Sequence, residues 1–275
     1  MSPNHKPYVI VLGNEKGGTG KSTVAMHIIT NLLRDNYTVG SIDVDARQGT
    51  LSRYLENRRA RLEKAGEDLP LPDHVPLFRS KLESVSAAEG EETQQFIEIM
   101  DRFKLFDFVV IDTPGSDTYL SRLAHSHADT LITPLNDSFI DLDMLVRVSA
   151  DSYDILRPST YSEMVWDQKK QRAMRDNGSI DWIVLRNRLS SITSRNKEEM
   201  ERVLSALSRR IGFRLLDGFG ERVIFRELFL NGLTLLDMKE TQMTLTLSHI
   251  AAKQELASLM ETIHLPVKAR REKNA

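Results

Sequence analysis

The sequence predicts an α/β fold: a single doubly wound, mostly parallel sheet with helices on both faces. Three observations predict it. Short, almost wholly apolar runs recur along the chain, as strands buried on both faces require. Longer stretches with apolar residues at helical spacing alternate with them. No linker, internal repeat or low-complexity tract divides the 275 residues, so residues 1–266 read as one domain, followed by a basic, disordered tail at 267–275.

The elements follow in order. Tyr8–Leu12 is a buried strand that ends at Gly13. Ser22–Arg34 is a helix, with Val24, Ile28, Leu32 and Leu33 on one face. Thr38–Ile42 is a second strand, ending in Asp43-Val44-Asp45. Thr50–Lys64 is a charged helix, and the three prolines of Gly66–Ser80 mark a loop. Glu92–Phe103 is an amphipathic helix, Phe106–Ile111 a third strand, Leu120–His125 a short helix and Leu131–Leu135 a fourth strand. Asp141–Leu156 is expected to be helical up to Pro158. Trp182–Leu185 is a fifth strand, and Asn196–Ile211 and Ser248–Ile263 are the remaining helices.

Composition excludes several classes. Apolar residues make up 40% and charged residues 28%, the balance of a globular chain able to bury a large core. The absence of cysteine excludes disulfides and Cys-ligated zinc. The short polar start leaves no signal peptide expected, and no apolar run reaches the roughly 18 residues of a membrane span. A cytoplasmic location is expected. In the last helix the polar face mixes Lys253 with Glu255 and Glu261, so it is expected to pack on the domain and not on a membrane surface. His125 and His127 do not read as a metal pair: in a helix their rings point about 200° apart.

Chemistry concentrates in Gly13-Asn14-Glu15-Lys16-Gly17-Gly18-Thr19-Gly20-Lys21-Ser22-Thr23, between the first strand and its helix. Glycines here let backbone N–H groups turn toward an anion, and the helix that follows presents its positive end. Lys21 is placed to reach β- and γ-phosphates, and the Ser22 hydroxyl to ligate magnesium. The usual phosphate-loop pattern has glycine where Glu15 stands. With Lys16-Gly17-Gly18-x-x-Lys21-Ser22 the segment instead resembles the deviant Walker A box of the MinD/ParA ATPases, a P-loop NTPase class.

That resemblance implies ATP and Mg2+ as cofactors. Residues Glu15 to Thr23 (Glu15, Lys16, Gly17, Gly18, Thr19, Gly20, Lys21, Ser22 and Thr23) would hold the nucleotide. Asp112, delivered by the third strand, takes the Walker B position beside the metal. Gly115 is placed to donate its N–H to the γ-phosphate. Alternation along the second strand puts Asp43 and Asp45 on one side; the family assigns Asp45 to the attacking water and Asp43 to the outer magnesium shell. Asn187 stands where the family places an asparagine against the adenine edge. Lys16 would reach across a face-to-face homodimer and, with Lys21 and Asp45, complete the catalytic set.

Further stretches are similar to the MipZ family: Thr133 to Leu145, Trp182 to Leu189, and Arg222 to Leu228 running into Gly232 to Asp237. This implies a slow ATPase whose ATP-bound dimer inhibits assembly of the tubulin-like FtsZ, with ParB and non-specific DNA as further partners. Its distribution would be nucleoid-associated with polar enrichment. A ParA-type partition ATPase is the alternative. For DNA, Arg195, Arg202, Arg209 and Arg222 are the candidates: from 195 to 226 eight Lys/Arg stand against five Asp/Glu, and residues seven apart share a helix face. Glu199 sits close enough to Arg195 and Arg202 that these arginines form surface ion pairs in the other reading. Asp137, Asp141 and Asp143 form an acidic cluster open to three roles: caps, partners of the switch, or a protein-binding edge.

Overall fold

The computed structural model describes residues 6–44, 48–65, 68–149, 155–189, 195–239 and 246–266. In chain order the strands are β1 (Tyr8–Leu12), β2 (Val39–Asp43), β3 (Asp73–Pro76), β4 (Phe108–Asp112), β5 (Thr130–Asn136), β6 (Val146–Val148), β7 (Ile155–Pro158), β8 (Asp181–Asn187) and β9 (Arg214–Asp217). The helices are α1 (Lys21–Arg34), α2 (Thr50–Ala65), α3 (Val85–Arg102), α4 (Tyr119–His127), α5 (Phe139–Leu142), α6 (Thr160–Asp176), α7 (Arg195–Ile211), α8 (Ile224–Leu230) and α9 (Leu247–Ile263).

Seven strands form one parallel sheet in the order β3-β2-β4-β1-β5-β8-β9. Alternation along β1 splits its side chains between two cores. Val9 and Val11 face a layer that includes Phe96 of α3, Leu120 of α4, Val165 of α6 and Leu204 of α7. Ile10 and Leu12 face α1, α2, α8 and α9 through Ile28, Tyr54, Leu228 and Leu256. All four β1 side chains are fully buried, each worth about 1.5–3 kcal/mol on transfer from water. The chain leaves β1 in one direction across the sheet and reaches β5 in the other. The crevice outside the carboxyl end of β1 therefore lies at the switch point where such sheets take ligands. Among the described residues, no helix is long and apolar enough to cross a membrane.

Several elements differ from the sequence reading. The loop expected over Gly66–Ser80 contains β3, which pairs with β2 from Gly40↔Asp73 to Asp43↔Pro76. It is an edge strand, where proline costs no ladder bond on the open side. The helix expected over Asp141–Leu156 stops at Leu142. Beyond it Val146 pairs with Pro158 and Arg147 with Arg157 in an antiparallel hairpin; β-branched residues alternating with arginine suit a strand, and Pro158 could not continue a helix. Helix α6, strand β9 and helix α8 had no counterpart in the sequence reading. α6 is marked by its ends, an N-cap at Ser159 and a left-handed Asn177 after its last turn. Residues 267–275, expected to be a tail, lie outside the described residues.

Candidate nucleotide site

Three parallel strands end side by side. Leu12 pairs with Asp112, and Asp112 with Asp43, so the register alone carries two carboxylates to the mouth of the loop that follows β1. That loop and these strand ends enclose a cavity of about 230 Å³ lined by Gly17 to Thr23, Asp43, Asp112, Gly115 and Arg188, among others. Gly18 (φ 75°) and Gly20 (φ 96°) adopt the left-handed conformation that glycine tolerates. Gly20 caps α1 with no side-chain hydrogen bond, so the first-turn N–H groups stay available to an anion. Gly115 touches the loop: a Cβ there would lie 2.8 Å from Gly17 N.

The polar side chains are arranged around this cavity. Lys21, largely buried, donates from Nζ to Asn14 O and Lys16 O, each at 3.0 Å. Ser22 Oγ donates to Asp112 Oδ2 at 2.5 Å. Asp43 Oδ2 accepts from Ser52 N at 3.0 Å and Ser52 Oγ at 2.9 Å, and Ser52 Oγ also meets His74 Nε2 at 2.9 Å. Burial lowers the His74 pKa, partly opposed by the Asp43 charge. The hydroxyl of Thr19 is buried with no hydrogen-bond partner among the described residues, as expected of a donor facing an anion site. Ser22, Asp112 and Asp43 offer only oxygen donors, the set a hard divalent cation takes. These residues fit magnesium beside a phosphate chain.

Asn187 closes the loop from the other side. It is buried; its Nδ2 donates to Thr19 O at 2.8 Å and its Oδ1 accepts from Phe219 N at 3.1 Å. A second cavity of about 460 Å³ opens here, sharing Gly20, Thr23, Thr50 and Arg188 with the first and walled by Phe219, Phe225 and Arg222. Phe219 is fixed by rings of His27 at 5.3 Å and Phe225 at 4.9 Å.

Other sites from the sequence are placed elsewhere. Glu15 lines a separate cavity with Ile140, Arg147 and Tyr161; burial, then the Asp117 charge, raises its pKa. Lys16 folds back onto its own chain, its Nζ paired with the buried Asp141 carboxylate, while its backbone N–H donates to Asn14 Oδ1 at 2.6 Å. The acidic cluster disperses to three partners: Asp137 to Arg186 at 3.0 Å, Asp141 to Lys16 and Asp143 to Arg147 at 3.3 Å. Asp45 and the side chain of Arg195 lie outside the described residues.

Arg202 and Arg209 belong to α7 and Arg222 to the segment before α8. Arg202 is clasped by Glu199 at 2.5 Å, the surface-pair reading, and Arg209 is exposed on α7. Arg222 does not join them: it is held by Glu255 Oε2 at 2.5 Å and Oε1 at 2.7 Å, against the second cavity. His125 and His127 each turn Nδ1 to a backbone carbonyl of their own helix, Ser121 O at 2.6 Å and Leu123 O at 2.9 Å. The residues missed from sequence are Ser52, Arg188, Phe219 and Glu255. Arg188 alone carried a local signal, its place next to Asn187.

Comparison with known proteins bears on the fold and the family. McdA from Cyanothece, in an ATP complex, is 17% identical, with 97% of this chain and 100% of that chain covered and a TM-score of 0.63. MinD from Pyrococcus horikoshii, complexed with Mg-ADP, is 18% identical, with 94% and 96% covered and a TM-score of 0.55. These likenesses show the fold. An iron-sulfur cluster carrier protein of Deinococcus radiodurans is 27% identical over 175 residues, 56% of this chain and 49% of its own length, so the chain spans about half the length of that relative. Residues 8–267 match the family described as ATPase MipZ. The chain belongs to the MipZ family of ATPases.

Proposed function

We propose that this chain binds Mg2+·ATP in the cavity after β1, hydrolyses it slowly, and uses the nucleotide to control pairing of two copies. The observation that carries this reading is the convergence of Lys21, the Ser22–Asp112 pair and the left-handed glycines on one cavity at the switch point. Bound magnesium supplies neutralisation of phosphate charge. Lys21 exchanges two loop carbonyls for phosphate oxygens, and the N–H groups of Gly17 to Ser22 orient the chain of phosphates. Asn187 holds the loop to the base side, where the family resemblance puts adenine. Asp45 is assigned the attacking water and Asp43 the outer metal shell by the same resemblance.

Lys16 is assigned the nucleotide of the second copy. Dimerisation then requires it to leave Asp141. Family membership supports the wider role: regulation of division-site placement by inhibiting FtsZ assembly, with ParB and non-specific DNA setting a nucleoid-associated, pole-enriched distribution in the cytoplasm. Sedimentation velocity with and without ATP tests the switch. Wild type and Asp45→Ala should shift to a dimer at tens of micromolar, and Lys16→Ala should not. A wild type that stays monomeric with ATP defeats the reading. FtsZ pelleting with ATP tests the output; polymer unaffected by the dimer returns the protein to the partition class.

A further inference from the structure

A line of hydrogen bonds runs from the edge of the sheet to the nucleotide cavity. Asp43, at the end of β2, is fully buried and lines that cavity. Its Oδ2 accepts twice from Ser52, from the backbone N–H at 3.0 Å and from Oγ at 2.9 Å. Ser52 is the third residue of α2, so its N–H is one of the first-turn donors that an anion satisfies. Behind it stands His74 of β3, with Nε2 at 2.9 Å from Ser52 Oγ and Nδ1 at 2.9 Å from the Oγ of the buried Ser41. β3 is the edge strand, and its register sets His74 beside Ser41. Neither Ser52 nor His74 lines the cavity.

The direction of these bonds follows from counting protons. A serine hydroxyl has one proton. Ser52 gives it to Asp43 Oδ2, an oxygen that also accepts the Ser52 N–H. Ser52 Oγ is then an acceptor toward His74, so Nε2 carries a proton and donates. This holds for the neutral ring and the charged one alike. The donation leaves the Ser52 hydroxyl no other orientation, and successive donors polarise one another toward the carboxylate. We propose that His74 is a positioning residue of the nucleotide site: by donating from Nε2 to Ser52 Oγ it commits the Ser52 proton to Asp43, and so fixes a carboxylate of the magnesium set. This rests on the nucleotide reading above, which gives Asp43 its place in the outer metal shell. It adds a residue from the sheet edge that neither lines the cavity nor touches Asp43 through a hydrogen bond of its own. Side chains that hold a metal's carboxylates from behind contribute about 10–100-fold to affinity for the ion.

The test is equilibrium binding of mant-ATP to the full chain, with Mg2+ and with EDTA. The ratio of the two affinities isolates what the metal adds, and a general weakening of the site cancels. Ser52→Ala should lower this ratio about tenfold. His74→Ala should lower it about threefold or more, the net worth of one hydrogen bond. Two conservative variants separate the ring nitrogens. The amide nitrogen of His74→Gln takes the place of Nε2 and should keep most of the ratio. The amide of His74→Asn takes the place of Nδ1, reaches Ser41 alone, and should lose it. If His74→Ala and His74→Asn keep the wild-type ratio, the imidazole only ties β3 to β2 and the proposal is overturned. A ratio kept by His74→Asn and lost by His74→Gln overturns it as well. If the variants do not fold, the wild type decides: long-range 1H–15N correlation spectra should show His74 protonated on Nε2, and a bare Nε2 overturns the proposal. A wild type that binds mant-ATP equally with Mg2+ and with EDTA, or not at all, overturns the reading of the site together with this proposal.

Discussion

Lys16 and Lys21 are separated by four residues and do different work. Lys21 is buried against two loop carbonyls, a seat that keeps an ammonium ready for phosphate oxygens. Lys21→Met should therefore lower turnover about 10²–10³-fold, the usual cost of one preorganised donor, as read in a steady-state phosphate-release assay. Lys16 is paired with Asp141 and its side chain is 38% exposed, so the pair is worth no more than about 1 kcal/mol. Asp141→Asn should release Lys16 in both copies and tighten ATP-dependent dimerisation by up to about fivefold per copy, about 30-fold in all. Sedimentation equilibrium reads this, and an unchanged constant means that the pair does not restrain Lys16. At this scale the loop was legible because strand, glycines, lysine and serine are contiguous. The partner of Lys16 was not, since nothing in spacing ties position 141 to position 16.

Helix α2 shows how an element is held. Arg58 and Asp237 are both fully buried, with Arg58 Nη1 at 2.7 Å from Oδ2 and Nη2 at 3.0 Å from Oδ1. Arg34 of α1 reaches Asp237 Oδ1 at 2.7 Å, and Thr234 N reaches Oδ2 at 2.7 Å. Burial alone would raise the Asp237 pKa, but these donors hold it well below the usual carboxylate range. Asp237→Ala strands a buried guanidinium and should cost about 3–5 kcal/mol in urea unfolding; a loss under about 1 kcal/mol would mean that the network relaxes. Helix α7 carries a prediction for DNA. Arg202→Ala/Arg209→Ala should reduce the salt dependence of DNA binding by about two phosphate contacts, and an unchanged slope removes this face. Sequence read the helices with strong apolar stripes to within a few residues, except that α3 begins at Val85 where Glu92 was expected. It missed α6, whose boundaries lie in its caps, and it ran α5 through a hairpin because Leu145, Val146 and Leu156 fit either period.

Across the whole molecule, burial of histidine sets a pH dependence. His27, His125 and His127 have pKa values lowered by burial from 6.5 to about 4. Between those values the unfolded chain takes up protons that the folded chain refuses, so stability falls as pH drops through that window and is retained above it. The urea midpoint should decrease between pH 7 and pH 5, with up to three protons bound on unfolding; a flat profile would mean that these rings charge in place. The parallel, doubly wound architecture was legible in the sequence because burial on both faces forces apolar strands and helical periods that any reader of the chain meets in order. The phosphate loop was legible for the same reason, being local. Only the tertiary structure decided what lies against it. Strand register set Asp43 beside Asp112, the loop after β9 lined the second cavity, Arg222 paired with Glu255, and Lys16 closed onto Asp141. Those contacts join residues tens to more than a hundred positions apart, and they depend on which helices cover which face, an outcome of packing that no local pattern encodes.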